Sequence, residues 1–304
     1  MYSFSTCWNS HRHTDGRAML REIRELGFEY AELSHGIRFG LVPGILDAVA
    51  AGEIRISTLH NFCPLPMGVE KASPNLYEFS SEKSRDRELA IKHTLKTIEF
   101  AGRVRASLVV LHLGSMDLKD YTGKLTEMLE RGEGESPKFA KLRDEAITAR
   151  EMRREKFFSR TKETLRAILP AAEKAGIRLG IENREAVEEL PVETDFSVFL
   201  KEFSSPNIAY WHDTGHGQIK EHLGLIRQAQ FLELLSPRLA GFHLHDVQYP
   251  ARDHAPPGSG VIDFTALKPF VKPEHIKVFE MSPRVPVESV RRGVARLQEL
   301  WGND

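Results

Sequence analysis

The chain has 304 residues, 41% of them hydrophobic and 28% charged, enough apolar material for one large globular domain spanning 1–304. A formal net charge of −1 supplies no global attraction to nucleic acid or to an anionic membrane. Only two cysteines occur, Cys7 and Cys63, so no disulfide framework is implied and a reducing, cytoplasmic compartment is expected; residues 1–5 lack the basic-then-apolar pattern of a secretory leader, so none is expected, and no apolar run approaches the roughly 20 residues that span a bilayer.

Residues 3–8 read as the first strand. Polar residues 9–15 follow, then a helix pattern carrying Met19, Leu20, Ile23 and Leu26, closed by Gly27. Residues 28–34 give a second strand with Glu32 near its end, and 41–51 a second helix stopped by Gly52. A third strand over 54–59 ends at His60 and opens into a Pro- and Asn-rich loop, 61–74. After a strongly helical stretch, 84–104, residues 107–111 are almost wholly apolar, as expected of a strand buried on both faces, and run into His112.

The interval 117–160 is longer than an ordinary strand-to-helix connection. Its dense charge predicts an extended, mostly solvated helix or helical hairpin inserted after strand four, with a lid or a homodimer contact as its functional reading. Residues 177–181 form the fifth strand, ending in Glu182-Asn183, and 196–203 a helix. The sixth strand passes from Ile208 to Asp213, with a tight turn at Gly215 and a helix over 219–235. Residues 239–242 lead into His243-Leu244-His245-Asp246, a loop holds 253–260, and 276–279 lead into Glu280 before a closing helix, 287–301.

Eight alternating strand–helix units predict an α/β fold, a (β/α)₈ TIM barrel closed by right-handed crossovers. No glycine-rich phosphate loop follows the first strand, which argues against a doubly wound nucleotide binder. In a barrel, the residues just beyond the strand C-termini share one mouth. His60, His112, Glu182, Asp213, His243 and Glu280 all stand there, with His216, His245, Asp246 and His254 close behind. Each alone has an ordinary reading: Asp213 as a helix N-cap, Glu182 as a cap of the next segment, a strand-end histidine as a hydrogen-bonded structural residue. Gathered in one mouth, so many ionisable groups are costly unless a cation or shared protons offset them. Carboxylates and imidazoles together suit a divalent metal, Mn²⁺, Mg²⁺, Co²⁺ or Zn²⁺.

These residues carry a resemblance. Ile181-Glu182-Asn183, Asp213-Thr214-Gly215-His216, His243-Leu244-His245-Asp246, His254 with Pro256-Pro257-Gly258-Ser259-Gly260, and Phe279-Glu280 resemble the xylose isomerase-like TIM barrel superfamily over strands five to eight. The first third of the chain matches it loosely. That superfamily includes sugar isomerases and epimerases and the type IV apurinic endonucleases.

The isomerase and epimerase branch implies one divalent ion on Glu182, Asp213, His243 and Glu280, with Glu182 and Glu280 doubling as acid and base. Such enzymes take a proton from carbon beside a carbonyl, giving an enediolate whose oxyanion a metal stabilises. His216 would touch a substrate oxygen near the ion. His254 and Arg252 are candidate contacts for hydroxyls or a carboxylate, and Trp8 and Phe62 could stack on a sugar ring. Ordinary packing and surface placement are the competing readings for Arg252, Trp8 and Phe62; Cys7 and Cys63 read as buried small hydrophobes rather than zinc ligands.

The endonuclease branch implies a three-zinc cluster on His60, His112, Glu182, Asp213, His216, His243, His254 and Glu280. The chain departs from that pattern at one position, with Arg252 two residues before His254 where an Asp is expected and Asp253 displaced by one. The near-neutral charge also favours a small carbohydrate substrate over nucleic acid. His60 and His112 would then bind substrate or hold a second metal. A dehydratase of the inosose or dehydroshikimate type would begin with the same proton abstraction. A sugar-binding protein without turnover would keep the cavity but has no need of two carboxylates on the metal.

Overall fold

The computed structural model describes residues 1–302. Eight strands form a closed, all-parallel barrel: β1 (Tyr2–Ser5), β2 (Tyr30–Leu33), β3 (Arg55–His60), β4 (Leu108–Leu111), β5 (Arg178–Glu182), β6 (Ile208–Asp213), β7 (Leu239–Leu244) and, after a short hairpin of β8 (Asp246–Gln248) and β9 (Arg252–Ala255), β10 (Ile276–Phe279). Around the ring the order is β1-β10-β7-β6-β5-β4-β3-β2, with each barrel strand beside its chain neighbour. The (β/α)₈ expectation therefore holds.

Helices α1 (Gly16–Glu25), α2 (Val42–Ala50), α3 (Ser84–Arg103), α4 (Tyr121–Glu130), α5 (Pro137–Ala175), α6 (Asp195–Glu202), α7 (Thr214–His222), α8 (Gln228–Leu235), α9 (Phe264–Leu267) and α10 (Val287–Trp301) supply the outer layer. Among the described residues no helix is long and apolar enough to cross a membrane.

The main core lies between strands and helices, built from residues such as Met19, Ile45, Leu165, Phe199 and Leu232. A second cluster fills the barrel interior: Leu108, Val110, Ala209, Trp211, Ala240, Ile276 and Val278. Trp211 has no solvent exposure, and its ring lies edge-on to His243 at 5.1 Å. This apolar plug sets the floor beneath the polar mouth.

Four local expectations need correction. The first strand stops at Ser5, and residues 6–8 turn as a 3-10 segment in which Ser5 Oγ accepts from the Cys7 N–H. Gly215 is no turn: Asp213 caps α7 by accepting from the His216 N–H, so Gly215 already lies in the first helical turn. The helix expected over 219–235 is two helices, because Gly224 takes a left-handed φ of 72° and ends the first. The stretch after β4 is a helical pair, α4 and α5, but α5 is not mostly solvated. It buries Phe139, Ala146, Arg150, Phe157 and Phe158 before joining the barrel's outer layer.

Candidate functional site

Parallel register gathers the strand tips. Ser5 pairs with Glu32, Glu182 with Trp211, and Asp213 with His243, while Phe279 pairs with Leu244 so that Glu280 follows immediately. His60 ends β3, and His112 follows the end of β4. A cavity of about 670 Å³ opens at this end, lined among others by His60, His112, Glu182, His216, His254 and Glu280. Asp213 and His243 lie beneath it and are fully buried.

One imidazole is the centre of the arrangement. His243 Nδ1 lies 2.9 Å from Glu182 Oε1, 3.2 Å from Glu280 Oε2 and 3.8 Å from Asp213 Oδ2. On its other edge, His243 Nε2 donates to Glu32 Oε2 at 3.0 Å. That outer carboxylate, further fixed by Thr58 Oγ1 at 2.8 Å, sets the ring so that Nδ1 faces the three acids. Burial opposes a charge on His243, but Glu280, Glu32 and Glu182 lift its pKa well above the usual range. Burial likewise pushes Glu182 up, and His243 foremost among its neighbours more than reverses it, holding Glu182 well below the carboxylate norm.

The donor set fits a divalent cation. Four carboxylates, Glu32, Glu182, Asp213 and Glu280, are buried around one imidazole. Glu182 Oε2 and Glu32 Oε1 are buried with no hydrogen-bond donor aligned on them. Buried carboxylate oxygens in that state are costly unless a positive charge meets them. Ligating atoms of His60, Glu182 and His243, of Glu32, His243 and Glu280, and of Glu182, Asp213 and His216 each lie within 4.8 Å of one another.

A second ring of residues holds these in place. Asp213 Oδ2 accepts from His245 Nε2 at 2.9 Å while Oδ1 accepts from the His216 N–H at 2.7 Å. A Cβ built on Gly215 would overlap the His245 ring, so that contact requires glycine there. Asn183 bridges β5 and β6, with Oδ1 accepting from the Asp213 N–H at 2.7 Å and Nδ2 donating to the Asp213 carbonyl at 3.0 Å.

Arg184 was not foreseen. Its guanidinium is buried, pairs with Glu189 at 3.0 Å, and donates through Nη1 to His112 Nε2 at 2.8 Å, while standing 3.2 Å from His216 Nδ1. His112 Nδ1 in turn lies 3.0 Å from Asn75 Oδ1, to which it donates. Burial first, and Arg184 second, take the His112 pKa down to about 3, so this imidazole is neutral. With both nitrogens engaged, His112 is a positioned hydrogen-bonding group beside Glu182.

The hairpin after β7 brings a further difference from expectation. Asp253 and His254 both line the cavity, although successive strand residues ordinarily face opposite ways. His254 adopts φ 54°, in the left-handed region, and this re-aims the chain. Asp253 Oδ2 pairs with His254 Nδ1 at 2.9 Å and, with Glu185 and His216, forms another group of ligating atoms within 4.8 Å. The displaced aspartate thus points inward after all.

Three sequence candidates are not brought to the cavity. Trp8 is buried against Phe4, with Arg12 4.2 Å over its ring and Nε1 donating to the Val285 carbonyl. Phe62 packs edge-on against Tyr77 and His93. Arg252 is exposed and lines a neighbouring groove. An aromatic near a strand tip gives no sign, in sequence, of which side it will face. Glu32 was visible near its strand end but unassigned, because nothing local says that its carboxylate meets His243 from 211 positions away.

No curated protein matches this chain in sequence. Among solved structures, a D-tagatose 3-epimerase-like protein is similar with a TM-score of 0.70 at 18% identity, over 98% of this chain and 96% of that one. A 3-keto-D-glucoside 4-epimerase from E. coli gives 0.66 at 15% identity, over 98% of both chains. The IolI protein with a bound zinc atom gives 0.65 at 11% identity, over 99% of both. At such identities the likeness is one of fold. The family described as xylose isomerase-like TIM barrel matches residues 20–300. The chain belongs to the xylose isomerase-like TIM barrel family.

Proposed function

We propose that the chain is a divalent-metal-dependent epimerase or isomerase of a small sugar or hydroxy-carbonyl compound, working by proton abstraction beside a carbonyl. The observation that carries this is the convergence of Glu182, Asp213 and Glu280 on Nδ1 of one imidazole whose Nε2 is anchored on Glu32. A divalent ion held by Glu182, Asp213, His243 and Glu280 would supply Lewis-acid stabilisation of oxyanion charge on the substrate.

The chain's own residues do the rest. Within that set, Glu182 and Glu280 line the cavity, and they rise from β5 and from beyond β10, three places apart around the ring. One is placed to take the proton on one side of the substrate and the other to return it on the opposite side. His216 and His254 line the wall beside them and orient hydroxyls. The carbohydrate epimerases among the fold neighbours, and the zinc atom in the IolI protein, support a sugar substrate and a metal.

A second reading, a zinc phosphodiesterase of the endonuclease branch, draws support from the inward turn of Asp253 and from the several ligand groups around the cavity. Arg184 weighs against it. Its permanently charged guanidinium lies 2.8 Å from His112 Nε2 and 3.9 Å from Glu182 Oε2, at the position where a second cation would stand.

Metal analysis of protein purified without chelator, together with product analysis on ketoses in D₂O, tests the assignment. One Mn²⁺, Mg²⁺ or Co²⁺ per chain, with deuterium gained at the carbon beside the carbonyl, is expected. Three Zn²⁺ per chain with cleavage of an abasic duplex would overturn it. Net loss of water from the substrate would reassign the chemistry to a dehydratase that uses the same first step.

A further inference from the structure

We infer that a groove beside the mouth holds an anionic group of the substrate, of the phosphate-ester class; this rests on the epimerase reading for what the attached sugar does. The groove, about 620 Å³, runs between the connection after β7 and the connection after β10. It shares Asp253, His254 and Ser282 with the main cavity, so one molecule can occupy both.

Arg252, Arg284, Arg292 and Arg296 line it. Among the described residues none of these four has a carboxylate within 4.0 Å, whereas Arg17, Arg55, Arg150 and Arg166 are all paired. Asp253 is the sole acid in the lining, and His254 engages it at 2.9 Å. Guanidinium forks match phosphate oxygens in pairs, and four of them left without an acid describe a site for an anion. Ser289 adds a hydroxyl from the first turn of α10, where helix N–H groups also favour negative charge. Barrels commonly hold phosphate at the loops following their last two strands, and this groove has that position.

Its walls are built rather than loose. Buried Asp246 accepts four backbone N–H groups, from Val247 (2.9 Å), Gly258 (2.8 Å), Gly260 (2.9 Å) and Ile262 (3.0 Å), which fixes the loop of one wall. The Ser282 N–H donates to the His254 carbonyl at 2.9 Å and ties the two walls together. Gly258 has φ 83°, and a Cβ there would overlap the Arg296 side chain, so the glycine lets that arginine lie across the loop.

The test titrates inorganic phosphate into the full chain by calorimetry, and compares turnover of a ketopentose with its 5-phosphate. Arg292→Ala with Arg296→Ala should weaken phosphate binding at least about tenfold and raise KM for the phosphorylated substrate alone. Glu182→Gln should leave phosphate affinity unchanged while turnover is lost. If wild type and the double arginine variant take up phosphate equally, or wild type takes up none, the groove assignment is overturned; turnover of the free ketose would then still leave the epimerase reading standing. Phosphate binding lost with the arginines, but no epimerisation of either sugar, would keep the groove and sink the function. Tighter binding of an abasic duplex than of phosphate, lost in the same variant, would overturn the small-substrate assignment in favour of a nucleic-acid backbone.

Discussion

Two buried charge clusters in this barrel are built differently. Beside α5 and α7, Glu193 accepts from Arg150 at 2.7 Å and from Lys220, and Arg150 also lies 3.4 Å from Glu151. Burial would raise the Glu193 pKa, but Lys220 and Arg150 hold it at about 2. Acid and base answer each other there. In the mouth, four carboxylates press on His243; Glu32 Oε1 is buried without a hydrogen bond, and Glu182 Oε2, 2.8 Å from His112 Nε2 and 3.4 Å from His60 Nε2, has none of good geometry. A buried cluster whose charges close on themselves stabilises the fold; one whose negative charge exceeds its protein partners is shaped for something brought from outside.

The comparison breaks most clearly at Glu280. Glu280→Gln should lower turnover by about 10²–10⁴-fold while leaving the melting temperature nearly unchanged, measured by steady-state assay and circular dichroism. Equal loss of fold and activity would place Glu280 with the structural cluster. The opposite behaviour belongs to Glu193. Glu193→Gln leaves Arg150 and Lys220 buried without their acid and should cost about 3–5 kcal/mol in urea unfolding, with metal affinity unaltered.

Acid sharpens the contrast. His212 is fully buried, accepts from the Tyr210 hydroxyl at 2.6 Å and donates to Gln228 at 3.0 Å; burial takes its pKa down to about 4. The unfolded chain therefore binds the proton first. Its contribution is fully present above pH 6.5 and is lost as pH falls from 6.5 towards 4, by about 3 kcal/mol in all. Glu193, depressed in the same sense, adds a further loss below the ordinary carboxylate value of 4.5, towards 2. Urea midpoints measured from pH 7 to pH 4 should show the first step, and His212→Asn should make it shallower.

The smallest effect is at Gly215. Gly215→Ala would push the His245 ring off Asp213 and should weaken metal binding by about 10–100-fold, read by competition with a chromophoric chelator. Unchanged affinity would show that His245 does not orient Asp213.

The fold was legible because eight short apolar runs end in polar residues with helical stretches between them, and parallel strands buried on both faces leave that mark. The strand-tip set was readable for the same reason: the barrel needs only the tips to be identified, and register does the rest. What escaped depended on distances that one stretch of chain does not encode. Glu32 meets His243 only when the ring closes, with β1 and β10 between their strands on one side. Arg184 follows Glu182-Asn183 as one charge among many in the sequence, and only the closed barrel sets its guanidinium between His112 and His216. Asp253 turned inward through a left-handed residue that is not a glycine, which no residue pattern signals. Gly224, by contrast, was an audible stop inside the helix expected over 219–235.

Trp211, seated in the barrel with Ile276 and Val278, makes the chamber above it a blind alley. Whatever enters by the mouth must leave by the mouth, so reactant and product cannot pass one another. Each should therefore shut the other out, and product should act as a purely competitive inhibitor at every concentration of substrate.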